Sequence, residues 1–190
     1  MVKNVSNDIP DPDALTHDGM APSHAGRTLL LACGALAREL VDLKTANNWT
    51  HLDIACLPAI LHNHPDRIPA AVREAVTRHR ADYALSYVVY ADCGTGGALQ
   101  KACDELGVEM IEGPHCYAFF EGTARFLDRA ETEFTAFYLT DFLARQFDAF
   151  VWRPLGLDRH PDLPAFCLGQ HASLVQSPET VEPALLCLAH

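Results

Sequence analysis

"YALSYVVYADCGTGGALQKACDELGVEMIEG", residues 83–113, decides the fold. Its first part, through Cys93, is an apolar run suited to a buried strand. A glycine-rich corner follows. Residues 97–108 then carry apolar side chains at helical spacing, with Gly107 placed to close the helix. "VEMIEG" (108–113) returns to strand composition. Strand, corner, helix and strand in about 30 residues make a βαβ unit, whose two strands run parallel.

The same rhythm runs upstream. "RTLLLAC" (27–33) and "HLDIACLPA" (51–59) read as strands. "ALARELVDLKTAN" (35–47) and "PDRIPAAVREAVTRHRA" (65–81) read as amphipathic helices. The fold class expected is therefore α/β: three layers, with a mainly parallel sheet of four to five strands and helices on both faces. Downstream, 115–128 reads as helix, 131–152 as a longer aromatic-rich helix, 153–166 as a Pro/Gly-punctuated loop, 172–176 as a last strand and 178–189 as a terminal helix. Residues 1–26 lack periodicity and read as a flexible N-terminal segment ahead of a single α/β domain over 27–190.

Composition narrows the function. Hydrophobic residues form 49% of the 190, enough for a sizeable core. The net charge is −11 and no Lys/Arg cluster stands out, which argues against nucleic acid or an anionic membrane surface as partner. The apolar run Thr28–Leu36 is too short to span a bilayer and lacks the order of a signal peptide. A cytoplasmic protein acting on a small molecule is the expectation. The aromatic residues of 131–152 also offer a homodimer face.

Seven cysteines, in a chain of this size and core, point to packing residues, metal ligands or nucleophiles rather than a disulfide framework. Three stand apart. Cys33 ends the first strand, Cys93 the third, and Cys116 follows the fourth. In open α/β sheets, ligands bind outside the carboxyl ends of the strands. Parallel neighbours lie about 4.8 Å apart, so these corners can deliver sulfur atoms to one place. Each also starts a helix, where thiolates are stabilised. Cys33, Cys93 and Cys116 are accordingly the expected metal ligands. Cys56, Cys103, Cys167 and Cys187 read as small buried hydrophobes.

Around them, His115 and one of His62 or His64 are candidates for ligand or acid–base work, with His62 and His115 taken as catalytic. His160 can approach from the C-terminal loop. Asp141, beside Thr140, is the candidate supporting carboxylate. "DCGTGG" lacks the lysine and spacing of a phosphate loop, so a nucleotide is not expected. The backbone of Gly94, Thr95, Gly96 and Gly97 reads instead as a cradle for some other ligand.

Taken together, "ACGALARE" (32–39), "LPAILHNHPDRIPAAV" (57–72), "YADCGTGGAL" (90–99), "GPHCYAFFEG" (113–122), "FYLTDFLARQFD" (137–148) and "LGLDRHPDL" (155–163) resemble a bacterial and archaeal family, domain of unknown function 1638, over residues 27–176. The resemblance implies an association with corrinoid-dependent methyltransfer proteins, hence one-carbon metabolism and a corrinoid or methyltransferase partner. It also implies an acidic residue after the Cys-Tyr pair. This chain has Ala118 there, with Glu121 one turn on. A C-terminal extension beyond the last motif is a further expectation.

Two enzyme readings and one binding reading follow. The first is a metal-thiolate transferase or hydrolase with zinc, or alternatively an iron–sulfur cluster, on Cys33, Cys93 and Cys116. The second is a metal-free two-cysteine racemase-like enzyme, since "DCGTGG" and "GPHCY" resemble the opposed cysteine corners of aspartate/glutamate racemases. The third is a non-catalytic accessory protein that handles a metal or a corrinoid.

Overall fold

Alternating apolar runs and amphipathic segments build a four-stranded parallel sheet in the order β2-β1-β3-β4. The strands are β1 (Thr28–Cys33), β2 (Leu52–Leu57), β3 (Leu85–Val89) and β4 (Glu109–Met110). Between them run α2 (Ala37–Ala46), α3 (Ile68–His79) and α4 (Ala98–Leu106), preceded by α1 (Pro12–Asp18). The computed structural model describes residues 11–18, 28–132, 136–160 and 173–176. They fall in two units, Met1–Ile111 and Glu112–His190.

The first unit is the α/β layer structure that the sequence predicts. β1 is central: Leu29, Leu30, Leu31, Ala32 and Cys33 are all buried although they alternate between the two sheet faces. Burial on both sides is why the run is continuously apolar rather than alternating. Its register pairs Cys33 with Leu57 and Ala32 with both Cys56 and Val89. Right-handed crossovers put α2 on one face and α3 and α4 on the other. The packing of α1 against α2, and of α3 against α4, agrees with this.

Local signals set the ends. Pro69 sits in the first turn of α3, where its missing N–H costs nothing. Gly107, at φ 67°, ends α4, its N–H donating back to the helix. Inside β2, the buried Asp53 carboxylate accepts from the Tyr83 hydroxyl at 2.9 Å and lies 3.9 Å from Lys44 Nζ. This satisfied acid is near the amino end of the strand.

Three spans differ from expectation. Within residues 1–26, read as flexible, Pro12–Asp18 is helical, with Leu15 fully buried. The Thr16 hydroxyl donates to the Gly34 carbonyl at 2.9 Å, so this helix is latched to the corner after β1. In the second unit, the long helix expected over 131–152 is interrupted. It divides into the end of α6 (Thr123–Thr132), strand β5 (Ala136–Leu139), the short α7 (Asp141–Arg145) and a π-helical turn, Asp148–Trp152. Phe137 and Tyr138 suit a strand, and β5 finds a parallel partner in β6 (Ser173–Gln176). Thr140 then restarts the helix as its N-cap, its hydroxyl accepting from Leu143 N–H at 3.2 Å.

The helix expected over 115–128 is likewise two pieces, α5 (Ala118–Glu121) and α6, separated by Gly122 at φ 87°. The expected terminal helix, most of the 153–166 loop beyond His160, Cys167 and Cys187 lie outside the described residues.

Candidate metal centre

The strand order fixes where a ligand can enter. From β1 the chain crosses to β2 on one side; from β3 it crosses to β4 on the other. β1 and β3 are therefore neighbours at a topological switch point, and the crevice beyond their carboxyl ends is the usual binding position in such sheets. Cys33 is the last residue of β1, and Cys93 lies just past β3. The 3₁₀ turn Ala59–Asn63, immediately after β2, contributes His62.

Cys33 is fully buried. Its Sγ accepts from the Ala35 N–H at 3.3 Å and lies 3.2 Å from His62 Nδ1. Gly34 permits this corner. A Cβ there would stand 2.8 Å from Thr16 O and 3.0 Å from both Ala59 N and Leu57 O, all backbone atoms. The corner after β1, the start of the His62 turn and α1 thus meet at a point with no room for a side chain.

Cys93 is held differently. Its φ of 47° is left-handed, a conformation that costs a non-glycine residue about 1–2 kcal/mol. The loop enforces it. The Asp92 carboxylate accepts from the N–H groups of Gly97 at 2.7 Å and Gly96 at 3.1 Å, and from the Thr95 hydroxyl at 2.8 Å. Burial works to raise the pKa of this acid, but the bonds from Gly97, Thr95, Gly96 and Gly94 outweigh it and hold the carboxyl below its ordinary range. The donors expected to cradle a ligand at Gly96 and Gly97 are thus engaged by the chain's own carboxylate. Their conformations, with φ of 61° and 82°, suit glycine.

In the second unit, Cys116 occupies a turn before α5 and is buried. The rings flanking it are stacked. His115 lies on Tyr117 with centroids 4.3 Å apart, Tyr117 on Tyr138 at 5.3 Å, and Phe126 against Tyr138 at 5.2 Å. His115 Nδ1 also accepts from the Tyr117 N–H at 3.4 Å. Asp141, the expected supporting acid, opens α7 half-exposed, with its carboxylate 4.0 Å from Arg145. His64 and His160 are exposed.

The donor atoms of His62 and Cys93, both in the first unit, lie within 4.8 Å of each other. Such a pair can supply two of the ligands of a metal ion. A tetrahedral ion with metal–sulfur bonds of about 2.3 Å and metal–nitrogen bonds of about 2.0–2.1 Å separates its ligands by about 3.6–3.8 Å. Small side-chain rotations close the remainder. His62, expected as catalytic, thus stands as a donor beside Cys93, while Cys33 contacts the His62 ring at Nδ1. Burial pushes the His62 pKa down, but charge and hydrogen bonding from Cys33, and then from Cys93, more than reverse this and raise it to about 10.

Two other thiols behave as packing residues. Burial and the neighbouring Cys33 drive the Cys56 thiol far up. Burial and Asp104 raise Cys103 to about 11 against the pull of Arg73. None of the five described cysteines is in a disulfide.

Fold and site together define an α/β protein in which His62 and Cys93 meet at the carboxyl edge of the sheet. The chain belongs to the family described as protein of unknown function (DUF1638), which matches residues 56–176. That span contains His62, Cys93 and Cys116 and begins after Cys33. No curated protein and no solved structure matches the chain. No helix among the described residues is long and apolar enough to cross a membrane.

Proposed function

We propose that this protein is a metal-thiolate enzyme acting on a small molecule in methyl-group metabolism, with His62, Cys93 and Cys116 as ligands of one zinc ion. The observation that carries this reading is the approach of His62 and the buried Cys93 thiol to within 4.8 Å of each other at the carboxyl edge of the sheet, Cys116 being the further ligand that the sequence suggests. Two thiolates and one imidazole leave a fourth position open, the pattern of catalytic rather than structural zinc. An iron–sulfur cluster is less well supported, since clusters are held by three or four cysteines and this group offers two. Zinc at such a position supplies Lewis acidity, lowering the pKa of a bound thiol or water for methyl transfer or hydrolysis. The link to one-carbon chemistry, and to a corrinoid or methyltransferase partner, rests on the family resemblance. The reduced state of the five described cysteines suits a cytoplasmic setting.

Elemental analysis of protein purified without oxygen tests the reading. About one zinc per chain is expected, lost in Cys93→Ser, Cys116→Ser and His62→Ala but kept in Cys56→Ser. Absence of metal from every wild-type preparation, or full occupancy in Cys93→Ser, overturns it.

A second reading is favoured by the hydrogen bond between Cys93 and His62, whose ring is held on its other nitrogen by Cys33 at 3.2 Å. A thiol–imidazole pair of this kind serves metal-free cysteine chemistry. Metal-free protein in which iodoacetamide alkylates Cys93 fastest among the described cysteines would support it.

A further inference from the structure

We propose that Cys33 is a positioning residue for the metal centre: its sulfur accepts a hydrogen bond from His62 Nδ1–H, fixing the ring so that Nε2 faces the ion. This inference rests on the metal reading above and adds to it a residue outside the ligand set.

Cys33 and His62 belong to the same unit, and the contact between them is direct, 3.2 Å from Sγ to Nδ1. The sulfur also accepts from the Ala35 N–H at 3.3 Å, and in the tautomer assigned here the Nδ1–H is its second donor. An imidazole whose Nδ1 carries the proton has one nitrogen left for a metal, Nε2. Ligating histidines commonly give their other N–H to a carboxylate, a carbonyl or a water, which sets tautomer and ring orientation. Here a thiol takes that part.

Two observations separate this role from the obvious alternatives. Cys33 is fully buried, so its sulfur has no path to a substrate and is not a nucleophile for one. It also stands outside the pair of donors, His62 and Cys93, that lie within 4.8 Å of each other. Gly34 adds a mechanical reason for precision, because the corner holding the sulfur is pressed against the start of the turn that carries His62. The stacking of the His62 ring over Tyr90, with planes 14° apart and centroids 6.2 Å apart, restrains the same ring from another side.

Cobalt(II) titration of the metal-free full chain is the test, followed by thiolate-to-cobalt charge-transfer absorption. The wild type should show that band. Cys33→Ala should bind cobalt about 10–100-fold more weakly, the usual cost of losing an outer partner of a ligating histidine, with unchanged band intensity per bound cobalt. Cys33→Ser, which keeps a hydrogen-bond acceptor and guards against a folding defect in the alanine variant, should recover part of the affinity. Nitrogen-15 NMR of the zinc-loaded wild type should show His62 protonated at Nδ1.

A loss of about one third of the band intensity in Cys33→Ala would make Cys33 a third thiolate ligand and overturn the proposal. Wild-type affinity in that variant, or His62 bound through Nδ1, would overturn it equally. If the wild type itself binds neither cobalt nor zinc, the metal reading falls. This inference then falls with it.

Discussion

Replacing Gly34 with alanine should weaken both the fold and the metal site. The added Cβ would lie 2.8 Å from Thr16 O and 3.0 Å from both Ala59 N and Leu57 O. None of these is the flexible end of a side chain, so backbone must move. Overpacking of this kind costs about 1–3 kcal/mol. Gly34 has no left-handed φ, so alanine recovers about 0.4–1 kcal/mol by restricting the unfolded chain. The net loss is about 1–2 kcal/mol. For a unit spanning Met1–Ile111, that corresponds to a fall in Tm of roughly 4–10 °C, read by circular dichroism in chelator. Because Leu57 and Ala59 lead into the turn bearing His62, the wedge also pushes that turn from the Cys33 corner, and cobalt affinity should fall with stability. A Tm within about 1 °C of wild type would refute the close approach. A lower Tm with unchanged cobalt affinity would refute the coupling between this corner and His62.

Other perturbations test the remaining supports. Asp92→Ala removes the acceptor for Gly96 N–H, Gly97 N–H and the Thr95 hydroxyl, so the Gly96 and Gly97 amides should exchange with deuterium faster, and metal affinity should drop as Cys93 loses its restraint; unchanged exchange would show that the loop holds itself. Thr140→Ala removes the cap on α7 and should cost about 1 kcal/mol, lowering the melting temperature of the second unit, with Thr140→Ser restoring it; equal melting of all three proteins would discount the cap.

The first unit was legible because its contacts are local and periodic. Strands buried on both faces give unbroken apolar runs, and helices packed on one face give spaced ones, so 28–110 declares itself residue by residue. α1 is not legible that way: its span offers Leu15 and Thr16 as anchors and little else, and their value appears only when the Gly34 corner is in place. β5 was hidden for a related reason. Its aromatic residues fit a helical pattern, and its strand partner, Ser173–Gln176, is far along the chain. Thr140 was the available signal, since a threonine followed by an acidic residue suits a helix start rather than an interior.

The site divides along the same line. Cys33, Cys93 and Cys116 were visible as residues at strand ends, a matter of order along the chain. Choosing His62 over His64 required the phase of the short 3₁₀ turn, which leaves His64 exposed and sets His62 against Cys33.

A cysteine used only as a small hydrophobe needs no special backbone, and Cys56 and Cys103 show what that looks like: one within a strand, one within a helix, both buried, both with raised pKa values. The thiols at the corners are each fixed by a separate local device. Cys33 follows from a glycine pressed against three backbone atoms. Cys93 is held left-handed by the bonds of Asp92, although glycine would occupy that conformation without strain. Cys116 sits in a turn flanked by stacked rings. Core packing asks for none of these devices. The backbone strain at Cys93 is of the kind that persists where a side chain must be aimed, and on the proposed function that side chain is a metal ligand.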